Sequence, residues 1–257
     1  MTRPPVARAF SVGVVILAAG RSSRMGRPKL LLPWGETSVL GHLIKQWQAL
    51  GAQQIAVACA LGDQAIKAEL DRLDVPFQDP PLSRPSATLS PRRGERAGRG
   101  ARPGKFKVGE HGVSAKGTSL DRIINPAPER GMFSSIQCAA QWPGWQAALT
   151  HWAIVLGDQP HLRPQTLRQV LDFSATHPTR VCQPARRGHG RHPVLLPRTV
   201  FRQLARSTST TLKEFLVSRS RQAALCEVDD PGMEVDIDRP EDYDKAVDLA
   251  AKRRAER

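Results

Sequence analysis

The chain predicts an α/β fold: a single domain built as a Rossmann-like three-layer sandwich around a mostly parallel sheet. Three observations lead there. Val12–Leu17 is a short apolar run rich in β-branched residues, too short to span a membrane, and so reads as a buried strand. A strand, helix, strand, helix alternation follows it, which implies parallel strands with helices on both faces. The length of 257 residues suits one sizeable core, with 1–257 as one domain.

The elements follow in order. After Val12–Leu17, Thr37 or Ser38 can cap a helix whose apolar stripe is Val39, Leu40, Leu43, Ile44, Trp47 and Leu50, stopped by Gly51. Ile55–Ala60 is the second strand. Asp63–Leu73 is the second helix, with Ala65, Ile66, Leu70 and Leu73 facing inward. The alternation then breaks. From Leu82 to Ser119 no apolar period survives, and SPRRGERAGRGARPGK cannot bury enough apolar surface to offset its ordering entropy. Residues 82–119 are therefore expected to be a disordered basic insertion, tolerated because loop-closure entropy grows slowly with length. Beyond it come a strand at Arg122–Asn125, a helix at Gly131–Trp142, a strand at Trp152–Leu156 and a helix at Pro164–Thr176. Leu167, Val170, Leu171 and Phe173 form the inner face of that last helix. Short strands are expected at Val181–Gln183 and Val194–Leu196, and short helices at Thr199–Ala205 and Thr211–Ser218. Cys226–Val228 and Val235–Ile237 close the sheet before a final helix, Pro240–Lys252. There is no internal repeat.

A formal charge of +14 invites a nucleic-acid partner, but its distribution argues against one. Residues 83–118 carry nine Lys/Arg against two Asp/Glu, the tail 251–257 carries four against one, and Arg3 and Arg8 add two more. The body that remains is nearly neutral. The stretch Ser90–Lys105 also lacks the aromatic residues that base stacking needs. No segment reaches the 18 apolar residues of a membrane helix. Cys59, Cys138, Cys182 and Cys226 are widely spaced and lie beside apolar residues, which predicts buried free thiols and a reducing, cytoplasmic setting. Arg3 and Arg8 before Ala9–Ala19 imitate a signal peptide, yet cleavage after Ala19 would remove the first strand.

The chemistry concentrates where strands end. Ala18, Ala19 and Gly20 follow Leu17 and let the backbone turn tightly with its N–H groups exposed, a cradle for phosphate. Arg21, Arg24 and Lys29 surround that turn with positive charge, and a nucleoside triphosphate is the ligand it suggests. No Gly-Lys-Ser/Thr follows, so it is not a Walker A loop, and it lacks G-x-G-x-x-G. Asp158 falls just past an apolar strand in Gly157-Asp158-Gln159-Pro160, at the sheet edge where ligands bind in open α/β folds. Asp236 and Asp238 are two apart, and in a strand they would share a face and repel unless a cation or water intervened. Ser134 or Ser135 can cap a helix, whose N-terminus favours phosphate. His192 lies in RGHGRHPVLL, and His189 three residues earlier has no further partners that would make a zinc site.

Leu17 through Lys29 resembles, without a mismatch, the opening motif L-A-A-G-x-S-x-R-M-G-x-P-K of the MobA-like nucleotidyltransferases, and within them the molybdenum cofactor cytidylyltransferases. Asn125–Ser135 resembles their N-P-x-x-x-x-G-M-x-S-S, Gly157–Pro160 their G-D-Q-P, Gly190–Leu195 their G-x-H-P-V-L, and Asp236–Asp242 their D-I-D-x-P-E-D. The departures are the long insertion, the basic tail and Arg27. The resemblance implies a fold of the nucleotide-diphospho-sugar transferase type. It implies a nucleotide pocket of Leu17, Ala18, Ala19, Gly20, Arg24, Lys29, Asn125, Ser134 and Ser135. It gives His192 a substrate-facing role and makes Arg24, Lys29 and Asp158 the catalytic set. Mg²⁺ is expected on Asp158 with Asp236, with Asp238 as the alternate ligand. Ala19, where guanylyl-transferring relatives tend to have Gly, leans toward CTP as donor, and the resemblance implies a molybdopterin-type acceptor, with a sugar phosphate as the alternative. A non-catalytic carrier delivering cofactor to a molybdenum hydroxylase would need no such set of Arg24, Lys29, Asp158 and Asp236.

Overall fold

The computed structural model describes residues 9–20, 22, 24–73 and 117–255. The strands are β1 (Val12–Leu17), β2 (Pro33–Trp34), β3 (Thr37–Ser38), β4 (Gln54–Ala60), β5 (Ser119–Asn125), β6 (His151–Leu156), β7 (Val181–Arg186), β8 (His189–Gly190), β9 (Val194–Pro197) and β10 (Ala223–Glu227). The helices are α1 (Val39–Ala49), α2 (Gln64–Arg72), α3 (Met132–Gln141), α4 (Pro164–Thr176), α5 (Arg198–Leu204), α6 (Leu212–Val217) and α7 (Pro240–Ala255).

One 8-stranded sheet runs β10-β7-β9-β6-β1-β4-β5, with β8 folded back on β7, while β2 and β3 form a separate hairpin. β1 is parallel to both β4 and β6, and β4 is parallel to β5, whereas β9 runs antiparallel between β6 and β7. Side chains alternate across the sheet. Val12, Val14 and Ile16 pack with α1, α2 and α4 on one face, and Val15 and Leu17 pack with α3, α5 and α6 on the other. The sandwich therefore has the three layers and mostly parallel sheet that the pattern of apolar runs predicts. At Gly13 in β1 a Cβ would lie 2.9 Å from Leu149 Cδ1 and 3.1 Å from the Trp152 indole nitrogen, so those side chains would have to shift.

Register brings the site together. Leu17 pairs with Ala58 on one side and Leu156 on the other, so the turns after β1 and β6 leave the same sheet edge side by side. Because β9 is reversed, with Val194 opposite Ile154, the segment entering it starts at that edge too.

Most expected elements agree within a residue or two; β7 and α7 end three residues later than expected, at Arg186 and Ala255, β10 begins three earlier, at Ala223, and two further differences have physical causes. Val235–Ile237 is not a strand. It follows a 3-10 turn at Pro231–Glu234, and Ile237 N–H donates to Asp158 O at 3.2 Å, so its backbone serves the Asp158 loop instead of a ladder. β5 begins at Ser119, not Arg122, because Gln54–Ala60 offers it a full-length parallel partner. Of the expected insertion, residues 117–119 belong to the described structure and residues 82–116 lie outside the described residues. Gly131, with φ at 89°, caps α3, and Ser134 and Ser135 lie within it instead of capping it. Ala65 is exposed, since α2 turns only Ile66 and Leu70 fully inward. Cys59, Cys182 and Cys226 are buried and Cys138 half-buried, all as free thiols, and burial pushes the Cys59 thiol up to about 11. No described helix is long and apolar enough to cross a membrane.

Candidate nucleotide site

A cleft of about 480 Å³ opens at the sheet edge between the turns after β1 and β6 and the start of α3. Leu17, Ala18, Ala19 and Gly20 form its floor, with Ala18 N–H held by Ala58 O at 2.8 Å. The chain then doubles back so that Lys29 re-enters the cleft. Ser22 makes this possible: its φ of 47° is uncommon for a residue with a side chain, and its Oγ accepts from Lys29 N–H at 3.1 Å. Gly26, at φ 65°, completes the reversal. Arg21 lies outside the described residues.

On this wall, charges converge. Lys29 Nζ donates to Asp158 Oδ2 at 2.6 Å and to Asp238 Oδ1 at 3.4 Å, and Arg24 Nη1 reaches Asp238 Oδ2 at 3.3 Å. The Lys29 and Asp158 side chains are each only 18% exposed, so water screens their pair weakly, while Arg24 is mostly exposed. Burial pulls the Lys29 ammonium down, but the charges and hydrogen bonds of Asp158 and Asp238 together carry it above the usual lysine value. Gly157 permits the close approach. A Cβ there would stand 2.7 Å from Leu30 Cδ2 and 2.9 Å from Leu17 O, forcing the Lys29 turn off the Asp158 loop.

The opposite wall is neutral at its base. Asn125, 1% exposed, donates through Nδ2 to Ser134 Oγ at 2.8 Å and Ser135 Oγ at 2.9 Å, and its Oδ1 accepts from Ala127 N–H. Ser134 Oγ also donates to Gly131 O at 2.7 Å. Of the three, only Ser135 lines the cleft; Asn125 and Ser134 sit beneath and set the loop that carries Pro128, Glu129 and Met132 into it. Asp63 and Ile66, at the start of α2, line it as well.

Asp236 and Asp238 part company because their segment is not extended. Asp236 Oδ1 accepts from Gln159 Nε2 at 2.8 Å, away from Lys29. His192 lies beyond the end of β6, half-buried, with Nδ1 3.3 Å from Ile154 O; it does not line the cleft. Burial pushes its imidazole below the ordinary histidine range against the opposing pull of Ile154 O, Asp158 and Asp236. Since a carbonyl only accepts, Nδ1 carries the hydrogen, and the neutral ring presents Nε2 as an acceptor.

The donor set suits a small divalent cation. Two carboxylates, Asp158 and Asp238, already converge on one cationic atom, and Asp158 Oδ1 is buried with no hydrogen-bond partner among the described residues. Among the described residues there is no cluster of three or more metal-ligating side chains. Sequence reasoning overlooked Ser22, Asp63 and Glu129; of these Ser22 lay inside the opening motif, and the other two carried no signal beyond their place after strands.

The family model for the MobA-like NTP transferase domain matches residues 14–105 and 106–224, most of the chain. The chain belongs to the MobA-like NTP transferase family. It is thus of a nucleotidyltransferase family, and the cleft at the end of β1 is in keeping with a nucleotide-binding enzyme. A curated relative, the bifunctional protein GlmU of Pseudomonas fluorescens, is 41% identical over 70 residues, which cover 26% of this chain and only 15% of that protein. Among solved structures, Rv0371c of Mycobacterium tuberculosis superposes with a TM-score of 0.62 at 25% identity, covering 93% of this chain and 98% of that one. A nucleotidyl transferase from Methanothermobacter thermautotrophicus gives 0.64 at 18% identity, over 94% and 98%. The molybdopterin-guanine dinucleotide biosynthesis protein A of Archaeoglobus fulgidus gives 0.57 at 12%, over 93% and 99%. The last two likenesses establish the fold that this MobA-like chain shares. Rv0371c has also been solved in complex with manganese.

Proposed function

We propose that the protein transfers a nucleoside monophosphate from CTP to a phosphorylated acceptor, a molybdopterin-type cofactor, releasing pyrophosphate. The observation that supports this is Lys29 meeting Asp158 and Asp238 beside the Leu17–Gly20 turn, a cation and two carboxylates of the kind a triphosphate and its metal need. In this reading Asp158 and Asp238 hold Mg²⁺, and Asp236, engaged by Gln159, is a support for that loop instead of a ligand. The manganese complex of Rv0371c supports a divalent cation in a related fold.

The reaction needs charge management more than proton transfer. The nucleophile is a phosphate oxygen of the acceptor, ionised at neutral pH, so no general base is required. It attacks the α-phosphorus, the bond from that phosphorus to the bridging oxygen breaks, and pyrophosphate leaves carrying the electron pair. Lys29 and Arg24 bind the β- and γ-phosphates and meet the charge that grows on the leaving group, a contact stronger in the transition state than before it. The turn N–H groups orient the same phosphates. When bound, Mg²⁺ neutralises phosphate oxygens and polarises the α-phosphoryl group. His192, neutral with Nε2 as acceptor, is placed to receive an N–H or O–H of the acceptor molecule.

Ala19 in the cleft supports a cytidine donor, while solved neighbours named for guanine dinucleotide synthesis and for a 4-diphosphocytidyl product show that this fold alone does not choose the base. The test is pyrophosphate release with each of the four nucleoside triphosphates, Mg²⁺, and either molybdopterin cofactor or a sugar 1-phosphate. CTP with the cofactor should turn over fastest. A clear preference for GTP overturns the donor assignment, and turnover confined to the sugar phosphate overturns the acceptor.

A further inference from the structure

We propose that Lys29 is the resident counter-cation of the metal site, so that nucleotide and divalent ion bind with positive coupling through the movement of one ammonium group. This rests on the reading of the cleft as a nucleotide and metal site, and adds how the two ligands communicate. Lys29 Nζ sits 2.6 Å from Asp158 Oδ2 and 3.4 Å from Asp238 Oδ1, the two carboxylates that would take the ion. A divalent cation arriving alone must share those oxygens with a fixed positive charge that is largely shielded from water. A nucleotide arriving alone must draw Lys29 away and leave two carboxylates facing each other and its own phosphates.

Together, each ligand removes the other's obstacle. The phosphates accept Lys29, and the ion replaces it between Asp158 and Asp238. Thermodynamic linkage then requires the coupling to be reciprocal: nucleotide tightens metal by the same factor that metal tightens nucleotide. Arg24 is a poor substitute, because its guanidinium is mostly exposed and touches only Asp238. The local anchoring allows the exchange. Lys29 is held through its backbone by Ser22 Oγ, an anchor for the turn that does not depend on the ammonium.

The coupling is read by titrating Mn²⁺ into the full-length protein and following free Mn²⁺ by electron paramagnetic resonance, with and without CTP. Lys29→Met keeps the aliphatic stem and removes the charge. In the absence of nucleotide it should bind Mn²⁺ at least tenfold more tightly than wild type, and CTP should tighten the metal much less in the variant. Arg24→Met, the control for simple loss of charge, should change nucleotide-free Mn²⁺ affinity by less than threefold. Asp158→Asn should abolish the site. Mn²⁺ should also raise the melting temperature of Lys29→Met more than that of wild type, a readout independent of turnover. Equal Mn²⁺ affinity in wild type and a folded Lys29→Met overturns the inference, as does equal tightening by Arg24→Met. Lys29→Gln, tested in parallel, decides the question if the Met variant fails to fold. Failure of wild type to bind CTP under any metal condition would instead overturn the nucleotide reading itself.

Discussion

On one wall of the cleft Lys29 stands between Asp158 and Asp238, with Arg24 at the outer edge; on the other, Asn125 is sealed beneath Ser134 and Ser135 with only neutral hydrogen bonds. The first wall is made of charges that can exchange partners: Lys29 and Asp158 line the cleft, and Asp238 and Arg24 meet them from outside its lining. The second is satisfied internally, and its key amide lies beneath the cleft's lining. A shielded ion pair holds charge in place for a ligand to reorganise, whereas a buried amide left without partners costs folding energy directly. The charged wall should therefore govern turnover and the neutral wall should govern shape and stability.

The largest effect should come from the charged wall. Asp158→Asn keeps the side-chain shape and removes the charge that would hold the cation, a loss of several kcal/mol of transition-state stabilisation, so turnover should fall by about 10³ or more. Single-turnover pyrophosphate release, with circular dichroism confirming the fold, measures it. Lys29→Ala removes one electrostatic contact to the leaving phosphates and should cost about 10²–10³ in kcat. Near-normal kcat in both variants would dissolve the contrast between the walls.

Asp238→Asn against Asp236→Asn sharpens the assignment within the charged wall. Asp238 meets Lys29 and Arg24, so its loss should lower kcat by more than tenfold, a difference of about 1.4 kcal/mol. Asp236→Asn, which only disturbs the bond from Gln159, should do less. The reverse order in a metal-concentration series would return the ligand role to Asp236. The smallest effect on chemistry should come from Asn125→Ala. It leaves two buried hydroxyls short of a donor and Ala127 N–H short of an acceptor, so stability should fall by about 1–3 kcal/mol in urea unfolding. The nucleotide KM should rise several-fold while kcat changes little, because Ser135, Pro128 and Met132 shift together. A collapse of kcat with unchanged stability would place Asn125 among the groups that touch substrate.

What was readable from the sequence had a local cause. β1 and α4 match their expected ranges to the residue, since an apolar run and a helical stripe with Pro164 at its start each carry their own signal. The turn after β1 and the Asp158 loop were legible for the same reason: small residues and a carboxylate placed just past a strand. Val235–Ile237 shows the opposite case. Its alternation looks like a strand, but Ile237 is buried in the core that α1 and α4 cover, and its amide is taken by Asp158 O. The alternation reported burial and not ladder pairing. Asn125, Ser134 and Ser135 were found together by motif, yet only packing showed that two of the three face inward.

By itself, then, the sequence determined most of the strands and helices, the tight turn at Leu17–Gly20 and the supply of Arg24, Lys29 and Asp158, because each depends on neighbours within a few residues. Tertiary structure alone decided that β9 runs against β6, that Gly157 must be bare for Leu30 to approach, and that Asp238, not Asp236, meets Lys29. Lys29 and Asp238 are 209 residues apart, and no local preference can specify a contact at that range. It exists because Ile237 anchors in the core and α7 starts at Pro240, which leaves the Asp238 carboxylate between them against Lys29 and Arg24.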